Sequence, residues 1–504
     1  MSNLYRLFQE RFPQDLTQSF IETRDGEQYS YQDLIKITST IESTMVDTGI
    51  IKGDRVIFQV NKSPEAIFLY LACLKLGAIS VPLNNAYTAS ELSYFLDDIK
   101  PSLVVCDPAS PIIKESLLHA RYKTSLLTLD KRGDGSLFER IENNSRSEEI
   151  ADVDENDIAC ILYTSGTTGK PKGAMITHGN LSSNALTVHQ SWGFNSNDIL
   201  LHALPVFHVH GLFVALNCVL LSGSSMIFLP EFNVGEIINL LPRATVLMGV
   251  PTFYTRLLSH PELSNSALKN MRLFISGSAP LLKEVSDDFY TKTGHRILER
   301  YGMTETVMIA SNPLHDERLP GTVGQALSNI TVRITADDDK ILGDGETGNI
   351  QVSGPNVFKG YWRNSEKTQE AFTKDGFLKT GDVGFLDNKG YLTIVGRSKD
   401  LIISGGYNVY PKEIEIIMNS LDGVYESAVI GVPHPDFGEG VIAIVVLENN
   451  IKINESNLIS LLKQELAAYK VPKIIFKINE LPLNVMGKVQ KNTLREKYNN
   501  VFDT

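Results

Sequence analysis

Between residues 28 and 130, stretches with helical apolar spacing alternate with short apolar runs. YSYQDLIKITSTIESTMVDTG leads to DRVIFQV; PEAIFLYLACLKLGAISVPL comes next, and a helical SELSYFLDDI precedes SLVVCD. Short runs of this kind bury both faces only when helices cover a sheet, so the rhythm specifies α/β layers. It resumes through Gly354 with ATVLMGV and MRLFISG, while ADDDKILGDGETG and RNSEKTQ crowd turn residues into a β-rich portion after about residue 325. The expected fold class is α/β: a large N-terminal domain of layered subdomains, followed by a small α+β domain.

The boundary falls where GRSKDLIISGGYNVYP concentrates Gly, Pro and charge, giving expected domains of 1–396 and 397–504. Within the second come SAVIGV, VIAIVVLE, a helix placing Leu458, Leu461, Leu462, Leu466 and Tyr469 on one face, and KIIFKI. Asp130 to Asp157 is polar and reads as a surface connection. Ile199 to Pro230 lacks Asp, Glu, Lys and Arg, yet Pro205, His202, His208, His210, Asn217 and a Ser-Gly-Ser-Ser turn interrupt it. That pattern fits a buried helix and strand rather than a membrane span.

The 504 residues carry 47 basic and 59 acidic side chains, a net charge of −12. Nucleic acid and anionic membranes are therefore not expected partners, since both select a basic surplus. Cys73, Cys106, Cys160 and Cys218 lie tens of residues apart without metal-ligand spacing, and read as reduced thiols of a cytosol-like compartment. The first residues, MSNLYRLFQERFPQDL, do not resemble a signal peptide, and VFDT is no organelle address, so a cytoplasmic location is expected.

Chemistry concentrates in DIACILYTSGTTGKPKGAMITH. An apolar strand opens into Thr164, Ser165, Gly166, Thr167, Thr168, Gly169 and Lys170, then Pro171 and Lys172. Gly-rich backbone exposes N–H groups, the hydroxyls add donors and the lysines add charge, which is a phosphate-binding composition. It is not the P-loop: only two residues separate the glycines, Lys170 precedes Pro, and a strand-like GAMITH follows where a helix should begin.

The YTSGTTGKPKGAM loop resembles the signature of the adenylate-forming superfamily of acyl-CoA synthetases, luciferases and peptide-synthetase adenylation domains. The likeness continues in order through YGMTET, GFLKTGDVG, GRSKDLIISGGYNVYPKEIE and VMGKVQK, covering nearly the whole chain. It implies activation of a carboxylate by ATP to an acyl-adenylate and pyrophosphate, then transfer to the thiol of CoA. By the resemblance, Glu305 holds Mg²⁺, Thr304 contacts the α-phosphate and Tyr301 stacks on adenine. Ser278, Ala279 and Pro280 line the opposite adenine face; Asp382 and Arg397 approach the ribose. Lys488 is expected to bridge the carboxylate and α-phosphate, His208 to gate the thiol tunnel, and Lys399 to be the hinge. Ser404, Gly405 and Gly406 are expected to admit CoA after a rotation of the small domain.

For the acid, LPVFHVHGL, VPTFYTRLL, LFISGSAPLL and RYGMTET together resemble malonyl-CoA synthetases. Arg256 is the expected partner of a second substrate carboxylate, Ser276 an additional donor and Met303 the cap of a short pocket. The expected partners are thus malonate, with methylmalonate tolerated, ATP and CoA, in a monomer or homodimer. A short- or medium-chain fatty acyl-CoA synthetase remains an alternative, as does a non-catalytic nucleotide sensor.

Overall fold

The computed structural model describes residues 2–110, 123–139, 149–164, 171–265, 267–404, 407–448, 453–484 and 487–502. Its strands form four sheets. In a nine-stranded sheet, six consecutive strands run parallel: Ser19–Thr23, Ser225–Phe228, Ile199–His202, Val246–Gly249, Leu273–Ser276 and Leu298–Tyr301. A seven-stranded sheet holds the parallel strands Ile158–Thr164, Ile79–Pro82, Arg55–Gln59, Leu103–Cys106 and Ser125–Thr128. Lys172–Thr177 returns antiparallel to Ile158–Thr164, so the phosphate-loop segment joins two strands and opens no helix.

Residues 331–397 supply a four-stranded antiparallel sheet, the β-rich portion that the turn clusters predict. From Ile402 onward the strands pair only with one another and enclose separate apolar clusters. In this last part the expected apolar face is narrower: the helix spans Glu455–Glu465, with Leu458 and Leu462 buried while Leu461 and Tyr469 are 40% and 39% exposed. Leu461 lies off the Leu458–Leu462 stripe by about one residue's rotation, and Tyr469 lies beyond the helix end.

The charge-free segment 199–230 forms a strand, a π-helical turn at His210–Ala215, the helix Leu216–Ser222 and a second strand. No helix among the described residues is long and apolar enough to cross a membrane. The helix Pro64–Leu76 shows how the layers close. Ser63 caps its first turn, Pro64 occupies the position where a missing N–H costs nothing, and Gly77 ends it at φ +72°. Nearly every side chain along it is buried, with Tyr70 packed on Phe213 at 5.9 Å between ring centroids. Such a helix is covered on all sides by other elements.

That burial includes a charge. Lys75 on this helix donates to Glu42 of the neighbouring helix at 2.5 Å and to Ser39 at 2.9 Å, with both charged side chains under 5% exposed. Burial raises the pKa of Glu42 and the ammonium opposes the rise. Lys75→Met therefore strands a carboxylate in the core and should cost about 3–5 kcal/mol of stability, read as a lower urea midpoint. Adding Glu42→Leu should return most of that loss.

Candidate active site

Parallel strands offer their carboxyl ends as a platform, and both large sheets aim theirs into one cavity of about 630 Å³. Pro82 and Thr164 close their own strands there. His208, Ser278 and Gly302 stand one to six residues past the ends of Ile199–His202, Leu273–Ser276 and Leu298–Tyr301. Of the expected residues, Thr164, Lys172, His208, Ser278, Met303, Thr304, Glu305, Arg397, Lys399 and Lys488 all line this cavity.

Thr164 Oγ1 donates to the Lys172 carbonyl at 3.4 Å, closing the strand pair from which the phosphate-loop segment emerges. Lys172 Nζ lies 4.2 Å over the Tyr361 ring, and the Tyr361 hydroxyl donates to Glu305 Oε1 at 2.9 Å. Burial raises the pKa of Glu305, and the Tyr361 bond opposes the rise. Arg397 and Lys172 also oppose the rise without pairing directly, and a cation beside Glu305 would complete its neutralisation.

Tyr301 and Asp382 sit just behind the lining. The Tyr301 hydroxyl donates to Asp382 Oδ2, while Arg397 Nε meets Asp382 Oδ1 at 2.7 Å. Asp382 holds the Arg397 guanidinium above its usual range. A buried carboxylate with both oxygens engaged is fixed in place and still has lone pairs for a hydroxylated ligand. With its hydroxyl committed, Tyr301 presents a ring of fixed orientation.

Lys488 is carried by a tight turn: Asn484 Oδ1 accepts the Lys488 N–H at 2.9 Å, Asn484 N–H donates to the Lys488 carbonyl at 2.9 Å, and Gly487 adopts φ +72°. Its ammonium reaches into the cavity, where desolvation first and Arg397 second draw its pKa down to about 8. The Nδ1 atom of His208 accepts the His210 N–H at 3.4 Å. Burial, then the positive charge of Lys488 and Arg300, lowers the pKa of His208 to about 3 and keeps it neutral.

Several expectations are corrected. Arg256 points outward as an exposed side chain of the helix Pro251–Leu258 and does not line the cavity, because the buried stripe of that helix is Phe253, Tyr254 and Leu257. Ala279 and Pro280 also lie outside the lining, with Pro280 exposed, because the chain turns away after Ser278 at φ +73°. Ser276 is fully buried behind the wall with its hydroxyl unpartnered among the described residues. Ser404, expected at CoA only after rotation of the small domain, is here buried on a strand outside the cavity lining. Ser165, Gly166, Thr167, Thr168, Gly169, Lys170, Gly405 and Gly406 lie outside the described residues.

The side chain that motif spacing does not flag is Arg300. It is 4% exposed, lines the cavity, and leaves Nε and Nη2 without hydrogen-bond partners among the described residues. Its neighbour Glu299 faces the other side of the strand and accepts the Leu281 N–H at 3.0 Å. Burial lowers the Arg300 pKa to about 9, which leaves it cationic at neutral pH. Gly277 permits its position, since a Cβ there would stand 2.4 Å from the guanidinium carbon. Its one sequence signal is a charged pair, Glu299 and Arg300, inside the short strand LERY, whose four residues are all buried. His210 also lines the cavity, with Nδ1 3.3 Å from Ser278 Oγ and Nε2 unpartnered among the described residues.

The AMP-binding enzyme family matches residues 8–362, and the AMP-binding enzyme C-terminal domain matches residues 413–488. The chain belongs to this adenylate-forming family. It is an AMP-forming acid–thiol ligase. It is 35% identical to a malonate–CoA ligase of Arabidopsis thaliana, over 94% of this chain and 86% of that one. It is 33% identical to a long-chain-fatty-acid–CoA ligase of Bacillus subtilis, over 96% and 92% of the two chains. The crystal structure of ATP-bound MatB from Rhodopseudomonas palustris superposes with a TM-score of 0.96 at 49% identity, covering both chains completely.

Lys488 should act as its ammonium, so pyrophosphate release should fall as pH rises through about 8. Thioester formation from supplied acyl-adenylate should not follow that ionisation. Lys488→Ala should abolish the first half-reaction and spare the second, measured separately by pyrophosphate release and by CoA consumption.

Proposed function

We propose that this ligase converts malonate and CoA to malonyl-CoA, with ATP cleaved to AMP and pyrophosphate. The observation carrying the substrate is Arg300, a buried guanidinium with two unpartnered donor atoms and no described protein carboxylate beside it. Leaving those donors unsatisfied is costly, and a second carboxylate on the substrate satisfies them bidentately. Ser278 can donate to His210 Nδ1, which places the remaining imidazole proton on Nε2, a further neutral donor at the same wall. Met303 leans against the cavity and limits the acid's length. A fatty-acid chain at this wall would bury Arg300 against hydrocarbon. The malonate-named relative and MatB support the reading.

In the first half-reaction a carboxylate oxygen attacks the α-phosphorus and pyrophosphate leaves. Lys488 holds both partners, Thr304 orients the α-phosphate, and Asp382 with Arg397 fixes the ribose. Glu305 would hold Mg²⁺, which neutralises phosphate charge when bound. Among the described residues no cluster of three metal-binding side chains exists, and one carboxylate suits an ion held mainly by phosphate oxygens. In the second, the sulfur of the CoA thiol attacks the acyl carbon, the bond between that carbon and the phosphate oxygen breaks, and AMP and the thiol proton are released.

The two half-reactions require different closures, and Lys399 stands at the junction. Before it, Arg397 is tied to Asp382 of the large domain; after it, Asp400 pairs with Arg495 of the last helix at 2.7 Å. Only residues 398 and 399 separate those anchors, so rotation concentrates there. Ser404 turns toward the cavity in the second closure.

Pyrophosphate release measured with malonate, methylmalonate, succinate, acetate and octanoate should peak at malonate. Arg300→Ala should lower kcat/KM for malonate by about a hundredfold and leave acetate nearly unaffected, while Arg256→Ala should change neither. A peak at octanoate would assign the chain to fatty acids. Lys399→Pro should retain pyrophosphate release and lose thioester formation; an unchanged second step would place the hinge elsewhere.

A further inference from the structure

The mechanism leaves the enclosed amine of Lys62 unused. Lys62 lies in the connection between the strand Arg55–Gln59 and the helix Pro64–Leu76, on the seven-stranded sheet's side of the molecule. Its Nζ stands 3.1 Å from His202 Nδ1 and 2.9 Å from the His202 carbonyl, 4.4 Å over the Phe228 ring. His202 ends a strand of the other large sheet.

The proton positions follow from the partners. His202 Nε2 lies 3.0 Å from the Gly211 carbonyl, which can only accept, so Nε2 carries the hydrogen. Nδ1 is then the acceptor for Lys62. Burial first, and Lys62 second, hold the His202 pKa near 3, so the tautomer is that of a neutral ring. Desolvation also drives the Lys62 pKa far down.

The Gly211 carbonyl belongs to the first turn of the π-helix His210–Ala215, a form of turn recurrent at functional sites. Gly211 packs so tightly on this loop that a Cβ would stand 2.1 Å from the Pro205 carbonyl oxygen. On the same turn, Leu212 N–H donates to the His208 carbonyl at 2.9 Å, and the His210 ring reaches Ser278. One chain of donors thus runs from Lys62 through the His202 ring to the backbone that carries His208 and His210.

We propose that Lys62 and His202 are positioning residues for the acid end of the active site. Neither touches the substrate. They fix the His202 tautomer and the height of the Gly211 carbonyl, and thereby the direction of the His210 donor that meets the distal carboxylate beside Arg300. The inference rests on the malonate reading above.

The test compares Lys62→Met, His202→Asn and His202→Gln with Arg300→Ala, measuring KM for malonate, KM for ATP and the unfolding midpoint of each full-length protein. Lys62→Met removes the donor to Nδ1. His202→Asn keeps an acceptor near Lys62 but withdraws the donor from Gly211, while the longer carboxamide of His202→Gln still reaches that carbonyl. Lys62→Met and His202→Asn should raise the malonate KM about tenfold or more with the ATP KM within about twofold, and His202→Gln should recover most of the loss. A merely structural pair would shift both KM values and the midpoint together, with Gln no better than Asn, and that pattern overturns the proposal. An unchanged malonate KM in His202→Asn overturns it as well, and decides the matter if Lys62→Met does not fold. Arg300→Ala separates the two levels. If Arg300→Ala raises the malonate KM and His202→Asn does not, only the relay fails; if Arg300→Ala keeps the wild-type KM, the malonate reading fails and the relay with it.

Discussion

Two sheets with parallel cores direct the carboxyl ends of those strands into one space, and the site's chemistry follows from that constraint. A strand end is pinned by the hydrogen-bond register of its neighbours, so the residue just past it has little freedom. Thr164, Ser278 and Gly302 inherit their positions in this way, and Ser278 adopts a left-handed backbone that an L-residue rarely takes without compensation. The hydrophobic layers thereby supply the rigidity that phosphoryl transfer needs, since that reaction asks for positioning and charge more than for covalent work by the protein.

Charge inside the cavity is only partly neutralised. Asp382 is satisfied by Tyr301 and Arg397, and Glu305 by Tyr361 in part, whereas Arg300 and Lys488 have no close carboxylate among the described ion pairs. A cavity biased toward cations suits ligands that bring the missing negative charge: a triphosphate and a carboxylic acid. The same enclosure lowers the pKa values of Lys488 and His208, so that the lysine titrates near the physiological range and the histidine stays neutral. The overall charge of −12 conceals this local excess of positive charge, because a pocket needs only a few groups.

The cavity also draws on a part of the chain with its own core. The sheet beginning at Ile402 encloses apolar clusters of its own and reaches the cavity through Asn484 and Lys488. A self-contained core lets that part turn as a body, because few buried contacts have to break.

Much of this was legible in the amino-acid order. Apolar runs alternating with helical spacing dictate layered sheets, since each run must bury two faces. The phosphate-loop composition could be read from exposed backbone N–H groups, hydroxyls and lysines, whereas Glu305, Asp382 and Lys488 are named through the resemblance of their motifs to the adenylate-forming superfamily. The arginine proposed to bind the acid could not be chosen in this way. Arg256 and Arg300 each lie close to apolar residues in the sequence, and local pattern does not say which side of its element faces the cavity. The tertiary structure decides it: Tyr254 and Leu257 claim the buried side of their helix, turning Arg256 to solvent, while the register of Leu298–Tyr301 beside Leu273–Ser276 carries Arg300 over Gly277 into the interior. Local chemistry is written along the chain, but burial is a property of which surfaces meet, and only the packed sheets determine that.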